Sequence, residues 1–359
     1  MRIGIIGLVG SGKSSLFYAL TGQPPEPPSG KPHRRLGQAV VPDERVELVA
    51  RLDGSKKISN AVVTFMDPDG FNPDQGKSLS SEMLGMVRDA DLLALVVRDF
   101  KNPTVMHPSG KVDAKRDLES CLSDLIIQDL AVAENKLMKA RKEFERGKKE
   151  LQKEVETLGK AIEILNEGKF LSSNEWAAQE KEILDSFEPL TFKQGLVLWN
   201  VDEDTRFGSD GTGVPPEVLA IVKSHEWDIG ATSLAIESEI MEIEEKDRKA
   251  FLEDMGLKET IRDRFLRAVY EQLGLVTFYT GGPKEAAARA IPSGSTAWDA
   301  AGNVHTDIQK GFIRAEVMSF EDLKELGTVD VIRKAGKYRL EKKEYVVRDG
   351  DIIHFRFNV

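Results

Sequence analysis

Apolar residues recur along the chain in two rhythms, and their order predicts the elements. Arg2-Ile3-Gly4-Ile5-Ile6 is a short apolar run of the kind buried in a parallel sheet. After a glycine-rich interval, Leu16, Phe17, Ala19 and Leu20 follow at helical spacing. Ala61-Val62-Val63-Thr64-Phe65-Met66 and Leu196-Val197-Leu198-Trp199 read as two further buried strands. Between residues 112 and 165 proline is absent, and apolar positions step by three and four through Leu118, Leu122, Leu125, Ala133, Leu137, Ala140 and Phe144. The stepping resumes at Leu151, Val155, Leu158, Ile162 and Leu165. This predicts two antiparallel helices packed along one seam, turning near Gly147 and inserted between the second and third strands above. Residues 241–254 and 259–273 read as helices, and Gly274 with Gly281-Gly282-Pro283 marks a boundary. Beyond it, short β-type runs at 286–291, 312–317, 345–347 and 352–357 alternate with turns.

The glycine-rich interval carries the strongest chemistry. Gly7-Leu8-Val9-Gly10-Ser11-Gly12-Lys13-Ser14 lies between a strand and a helix, the context a phosphate-binding loop requires. Its glycines let backbone N–H groups turn towards phosphate oxygens, and the helix N-terminus adds partial positive charge. Lys13 is expected to reach the β and γ phosphates and Ser14 to ligate Mg²⁺. Asp67-Pro68-Asp69-Gly70 ends the second strand, a pattern that many plain turns share. Behind a phosphate loop it predicts Asp67 as a metal-side carboxylate and the Gly70 N–H as a sensor of the γ-phosphate. The third strand ends in Asn200-Val201-Asp202-Glu203, the Asn-x-x-acid pattern with which switch-type GTPases read the base. A glutamate displaces its carboxylate by more than about 1 Å relative to aspartate, which spoils a bidentate fit to guanine. Gly7, Gly10, Ser11, Gly12, Ser15, Val201 and Ser233 are counted with Lys13, Ser14, Asn200 and Glu203 as nucleotide-contacting positions.

Composition narrows the remaining classes. A length of 359 residues exceeds one ordinary core and predicts two or three domains. A lone cysteine, Cys121, excludes a disulfide framework, and His33, His107, His225 and His354 show no metal spacing. No apolar run approaches the roughly 20 residues that span a bilayer, and the first residues do not read as a secretion signal; the expectation is a cytoplasmic protein with no membrane partner. The net charge of −10 argues against non-specific coating of nucleic acid. Locally the balance reverses, with nine basic residues against five acidic ones between Lys136 and Lys160. That face is either an RNA-contacting surface or a solvated helix face laced with ion pairs. His305-Thr306-Asp307 lacks a nucleophile motif and reads as a turn cap.

With these elements in order, the chain resembles the YchF family of Obg-like ATPases over essentially its whole length. The resemblance is strongest in Thr277-Phe278-Tyr279-Thr280, in Gly302-Asn303-Val304-His305-Thr306-Asp307, in Lys310-Gly311-Phe312-Ile313-Arg314-Ala315-Glu316 and from Val347 to the end. These segments look like the family's TGS domain, a ubiquitin-like β-grasp module. The resemblance implies an α/β P-loop NTPase domain at 1–110 and 190–276, an inserted antiparallel coiled-coil arm at 111–189, and the TGS-like domain at 277–359. It also implies slow ATP hydrolysis, with GTP as the alternative substrate, and association with the ribosome. RNA is then a candidate partner of the arm and the TGS-like domain. Asn200 and Glu203 match the family's Asn-x-x-Glu motif, and the apolar Phe71 matches the residue after its Asp-x-x-Gly. An apolar side chain cannot orient an attacking water, so turnover is expected to be slow, and a nucleotide-binding regulator with little hydrolysis is the alternative.

The chain also departs from the family pattern. Gly10 stands where the family's loop has asparagine, which removes the basis for monovalent-cation assistance. No threonine occurs between Thr21 and Thr64, and the first switch contains Pro24, Pro25, Pro27, Pro28 and Pro32, an extended proline-rich stretch with Ser29 as its only candidate substitute ligand. Pro68 stiffens the second switch.

Overall fold

The computed structural model describes residues 1–24, 34–68, 81–208 and 211–358, which fall into two compact units. Met1–Ala39 and Thr64–Phe265 form one; Val40–Val63 and Leu266–Val359 form the other. Ser29, Asp69, Gly70 and Phe71 lie outside the described residues.

The first unit is built on strands β1 (Arg2–Ile6), β2 (Arg34–Val40), β4 (Val62–Pro68), β5 (Leu92–Asp99), β6 (Gln194–Val201) and β7 (Asp228–Thr232), in the order β2-β4-β1-β5-β6-β7. β1 runs parallel to β4 and β5, β5 to β6, and β6 to β7. The carboxyl ends of β1, β4, β5 and β6 therefore open on one edge, where a parallel sheet places its ligand crevice. Strands buried on both faces must be apolar throughout, and residues Leu92 to Arg98 of β5 are all buried. Helix α1 (Lys13–Thr21) covers the sheet with Leu16, Phe17 and Leu20, each fully buried.

The segment between β2 and β4 carries helix α2 (Arg45–Asp53) and the two-residue strand β3 (Ile58–Ser59), and helix α3 (Ser81–Arg88) precedes β5. After β5, helix α4 (Ala114–Glu145) runs for 32 residues, its first turn capped by Asp113, which accepts from the Arg116 N–H. The chain reverses at Gly147, whose φ of 104° suits glycine, and returns as α5 (Gln152–Asn166). Leu137 of α4 packs with Leu158, Ala161 and Leu165 of α5 and with Trp176, Leu184 and Phe187 around helix α6 (Ala178–Asp185). The antiparallel arm thus follows the predicted seam from Leu137 onwards, whereas Leu118, Leu122 and Leu125, read as its start, pack instead against the sheet with Leu93, Leu95 and Val197. Asp129, fully buried on α4, accepts from the N–H groups of Leu190 and Thr191 and the Thr191 hydroxyl, and pairs with Arg88 at 3.0 Å. Helix α7 (Pro216–Ser224) lies between β6 and β7, and α8 (Leu234–Glu242), α9 (Glu245–Asp254) and α10 (Ile261–Gln272) follow. The single helix read over 241–254 is two, because Ile243 and Glu244 adopt extended backbone between them.

In the second unit the sheet order is β11-β10-β12-β8-β9-β3, from β8 (Leu275–Thr280), β9 (Ala286–Pro292), β10 (Phe312–Ser319), β11 (Arg339–Glu341) and β12 (Asp351–Phe357). β12 pairs in parallel with β8 and antiparallel with β10, the mixed arrangement of a β-grasp. Helix α11 (Ala297–Val304) lays Ala297 and Ala300 on Phe278, Ala315, Val317 and Ile353. Residues 345–347 form no strand; only Val346 makes a bridge, to Thr296. β3 pairs with β9, and Asp43 accepts from the Tyr279 hydroxyl at 2.6 Å while Arg45 joins Asp43 to Asp349. Val40–Val63 is therefore part of this unit's fabric. His305 caps α12 (Thr306–Lys310), its Nδ1 accepting from the Asp307 N–H at 3.1 Å, as the turn-cap reading expects.

Removing one partner of a buried ion pair strands the other in low dielectric, at a cost of about 3–5 kcal/mol. Asp129→Ala is accordingly expected to lower unfolding stability by roughly that amount, read from the denaturant midpoint of the purified variant. A midpoint within error of the original would show that the arm's root does not depend on this pair.

Candidate functional site

The loop after β1 is shaped by close approaches that only glycine permits. Gly7 and Gly12 have φ of 143° and 108°, and a Cβ on Gly7 would lie 2.4 Å from the Val96 carbonyl oxygen. A Cβ on Gly12 would lie 2.5 Å from Nδ2 of Asn200. That amide is the centre of the site. Asn200, 4% exposed at the end of β6, donates through Nδ2 to the Ser11 carbonyl at 3.0 Å and accepts through Oδ1 from the Leu234 N–H at 3.0 Å. It thereby joins the loop after β1 to the loop between β7 and α8, which carries Ser233. The Ser233 hydroxyl is fully buried and, among the described residues, has no hydrogen-bond partner. Glu237 holds the start of α8 to α10 by accepting from the Ile261 N–H at 2.9 Å and pairing with Arg264.

Around this junction opens a cavity of about 710 Å³, within the size range of small-molecule sites. Gly12, Ser15, Asn200, Val201, Glu203 and Ser233, all sequence-predicted, line it. The neighbouring Asp202 accepts from the Lys101 N–H at 2.9 Å, whereas Glu203 is exposed. The phosphate end is as compact. Lys13, 7% exposed, donates from Nζ to the Leu8 carbonyl at 2.9 Å. The Ser14 hydroxyl lies 3.5 Å from Oδ2 of the buried Asp67, so the two residues read as metal-side ligands do come together. Gly70 lies outside the described residues.

Three contacts at the site were not read from the sequence. Arg35, at the start of β2, approaches Oδ2 of Asp67 at 3.7 Å, stacks over Phe17 at 4.4 Å, and donates to the carbonyls of Gln23 and Pro24. Behind the loop, Nε2 of buried His107 bonds Asp117 of α4 at 2.8 Å. Its Nδ1 accepts from the Ser109 N–H, so the Nε2–H is the donor to Asp117. Cys121, one turn along α4, faces a cavity of only about 10 Å³ with Leu8, Ser11 and His107. Burial pushes its thiol up to about 12, which leaves it without nucleophilic thiolate at neutral pH. Arg35 stood in the sequence only as one base of the run Lys31 to Arg35, and its pairing with Asp67 across 32 positions leaves no local pattern.

The chain compares closely with known proteins at this point. A family model named YchF-GTPase_C, described as a protein of unknown function (DUF933), matches residues 275–358. A Haemophilus influenzae protein called ribosome-binding ATPase YchF is 34% identical over 363 residues, covering 100% of this chain and 99% of its own. The Bacillus subtilis protein of the same name is 34% identical over 364 residues, with both chains fully covered. The solved structure of the Schizosaccharomyces pombe YchF GTPase superposes with a TM-score of 0.80 at 27% identity, covering 99% of this chain and 97% of that one. Likeness at that identity over the full length, on a P-loop domain with a helical insertion and a β-grasp end, makes this chain a member of the YchF family.

Proposed function

We propose that the protein binds Mg-ATP in the crevice between Lys13 and Glu203, hydrolyses it slowly, and acts in the cytoplasm as a nucleotide-dependent regulator at the ribosome. The observation that carries the nucleotide reading is the Asn200 amide, which sets the phosphate loop and the 710 Å³ cavity at a fixed separation. Relatives bearing the name ribosome-binding ATPase support the partner. The adenine preference follows from the roles of the two acids. Asp202 is engaged with the Lys101 N–H, which leaves Glu203 as the base-side carboxylate, one methylene too long for a bidentate guanine pair.

For the reaction, Lys13 leaves the Leu8 carbonyl for the β and γ phosphates, and the loop N–H groups stabilise charge as water attacks the γ-phosphorus, the bond to the β–γ bridging oxygen breaks, and ADP and inorganic phosphate leave with the water's proton passing to solvent. The hydroxyl of Ser14 and the carboxylate of Asp67 are hard oxygen donors 3.5 Å apart, a set that suits Mg²⁺ completed by phosphate oxygens and waters. Bound there, the ion would neutralise charge developing on the β and γ oxygens. Sequence also supports a reading with little turnover: Phe71 cannot orient water, and the first switch has no threonine.

The arm's charge divides in the fold. Glu143 pairs with Arg146 and Lys148, and Glu180 with Lys153 and Lys160, so these bases are answered within the arm. Lys139, Arg141, Lys142 and Lys149 are exposed near the turn and, among the described residues, make no ion pair. They are the surface we assign to ribosomal RNA phosphates.

Titration with fluorescent ATP and GTP analogues in Mg²⁺, with phosphate release followed in the same samples, tests the core reading. ATP is expected to bind more tightly than GTP and to turn over slowly; Lys13→Ala should abolish turnover and weaken ATP binding by at least tenfold. Binding without turnover would favour the regulator, and a GTP preference would overturn the role of Glu203. Because a guanidinium beside Asp67 opposes a cation there, Arg35→Ala is expected to lower the Mg²⁺ concentration that half-saturates nucleotide binding by several-fold. An unchanged or higher requirement would remove Arg35 from metal binding. Charge reversal at Lys139, Arg141 and Lys142 together should weaken co-sedimentation with ribosomes at low salt and flatten its salt dependence. Unaltered co-sedimentation would exclude the arm's turn as the contact.

A further inference from the structure

The wall of the cavity opposite Ser233 is the loop that leaves β5, and it has little of its own to hold it. Residues 101–104 are exposed, yet Phe100, Lys101, Asn102 and Val105 line the cavity. The Gly10 Cα is so close that a Cβ there would lie 3.0 Å from Cγ1 of Val105, so the same loop also abuts the phosphate loop. An exposed loop pays a large entropic cost to stay in one conformation unless buried polar contacts fix it.

Within the loop, the Asn102 side chain accepts from the Thr104 N–H and hydroxyl, and the Asn102 carbonyl accepts from the Val105 N–H, but one buried side chain ties the loop back to the strand. Arg98, the penultimate residue of β5, is 3% exposed and donates from Nε to the Phe100 carbonyl at 3.2 Å, from Nη2 to the Asn102 carbonyl at 3.1 Å and from Nη1 to the Val105 carbonyl at 3.0 Å. Its guanidinium also stacks over the Phe100 ring at 4.5 Å. Three carbonyls spread over six residues converge on one planar fork, a geometry that a lysine ammonium on its flexible stem does not reproduce. From the other side, Asp202 takes the Lys101 N–H at 2.9 Å. Arg98 lies behind the wall, outside the set of residues that line the cavity.

We propose that Arg98 is a positioning residue for the nucleoside: by fixing the loop after β5 it pre-forms one wall of the base and ribose pocket, and it sets affinity for the nucleoside half of the nucleotide more than for the phosphate half, which this loop meets only behind Gly10. The inference rests on the reading of this crevice as the nucleotide site. With the guanidinium removed, the loop must be ordered at the moment of binding, and that cost appears in the affinity of any ligand that needs the wall.

The test separates the two halves of the ligand. Dissociation constants of fluorescent ADP, of adenosine by competition and of inorganic tripolyphosphate by competition are measured for the original protein, Arg98→Lys and Arg98→Met, alongside thermal midpoints. Loss of a charge-assisted array of this kind is expected to weaken ADP and adenosine by about tenfold to a hundredfold in Arg98→Met. Arg98→Lys should recover only part of it, and tripolyphosphate should be weakened less than ADP in both variants. Original ADP affinity in Arg98→Met, or an equal loss for tripolyphosphate, overturns the proposal. If Arg98→Met does not fold, Arg98→Lys decides: ADP weakened several-fold with a smaller loss for tripolyphosphate supports it, and unchanged ADP overturns it. Failure of the original protein to bind ADP would remove the nucleotide reading itself, whereas binding that ignores Arg98 removes only this inference.

Discussion

The geometry of the site depends on the carboxamide of Asn200. A carboxamide donates from one atom and accepts at another, and here each end meets a backbone group from a different loop. Both bonds are buried, so neither partner has water as an alternative, and leaving either backbone group unpaired would cost about 1–3 kcal/mol. The same amide explains the glycine at position 12, which must let Nδ2 approach within a distance no Cβ allows. One side chain therefore couples the spacing of the phosphate loop to the loop carrying Ser233, and the crevice between them is a consequence of that spacing.

β5 organises the opposite side by a different means. Its last residues turn inward, Arg98 to gather the following loop and Asp99 to accept from Nε1 of Trp199 on β6 at 2.8 Å. A few residues on, His107 reaches Asp117 in the first turns of α4, and Arg116 adds a second bond to the same carboxylate. The arm is thus rooted directly behind the phosphate loop, with Asp129 fixing it again three turns further along. Polar contacts, not apolar area alone, determine where the long helix leaves the domain.

Much of this was legible before any coordinates. The phosphate loop is local, eight residues set between a strand and a helix, so Gly7, Gly12, Lys13 and Ser14 could be placed by pattern. The arm's seam was equally readable because a helical period persists through Leu137, Leu158 and Leu165. β2 and β5 were not singled out: proline obscures the start of the first, and the second, an apolar run of the same kind as β1, was open to the same reading. The excursion Val40–Val63 was unreadable in principle: β3 is two residues long, and its partner β9 lies more than two hundred residues away. Arg98 escaped for a related reason, since a lone arginine after an apolar run reads as the strand reaching solvent. Its three carbonyl partners are backbone groups, and backbone groups leave no mark on sequence.

Charge gives the crevice a direction. A chain of net charge −10 does not attract a polyphosphate by its overall field, so attraction must be local. At one end lie the N–H groups of the loop, the start of α1 and Lys13, all positive in sign. At the other end Asp202, Glu203 and Asp204 line the cavity, and they repel phosphate as surely as the first end draws it. A nucleotide entering the wrong way round would set its phosphates against three carboxylates and leave Lys13 facing an uncharged base. The acidic run after Asn200 thus gives the crevice its polarity: phosphates are drawn to one end and turned away from the other.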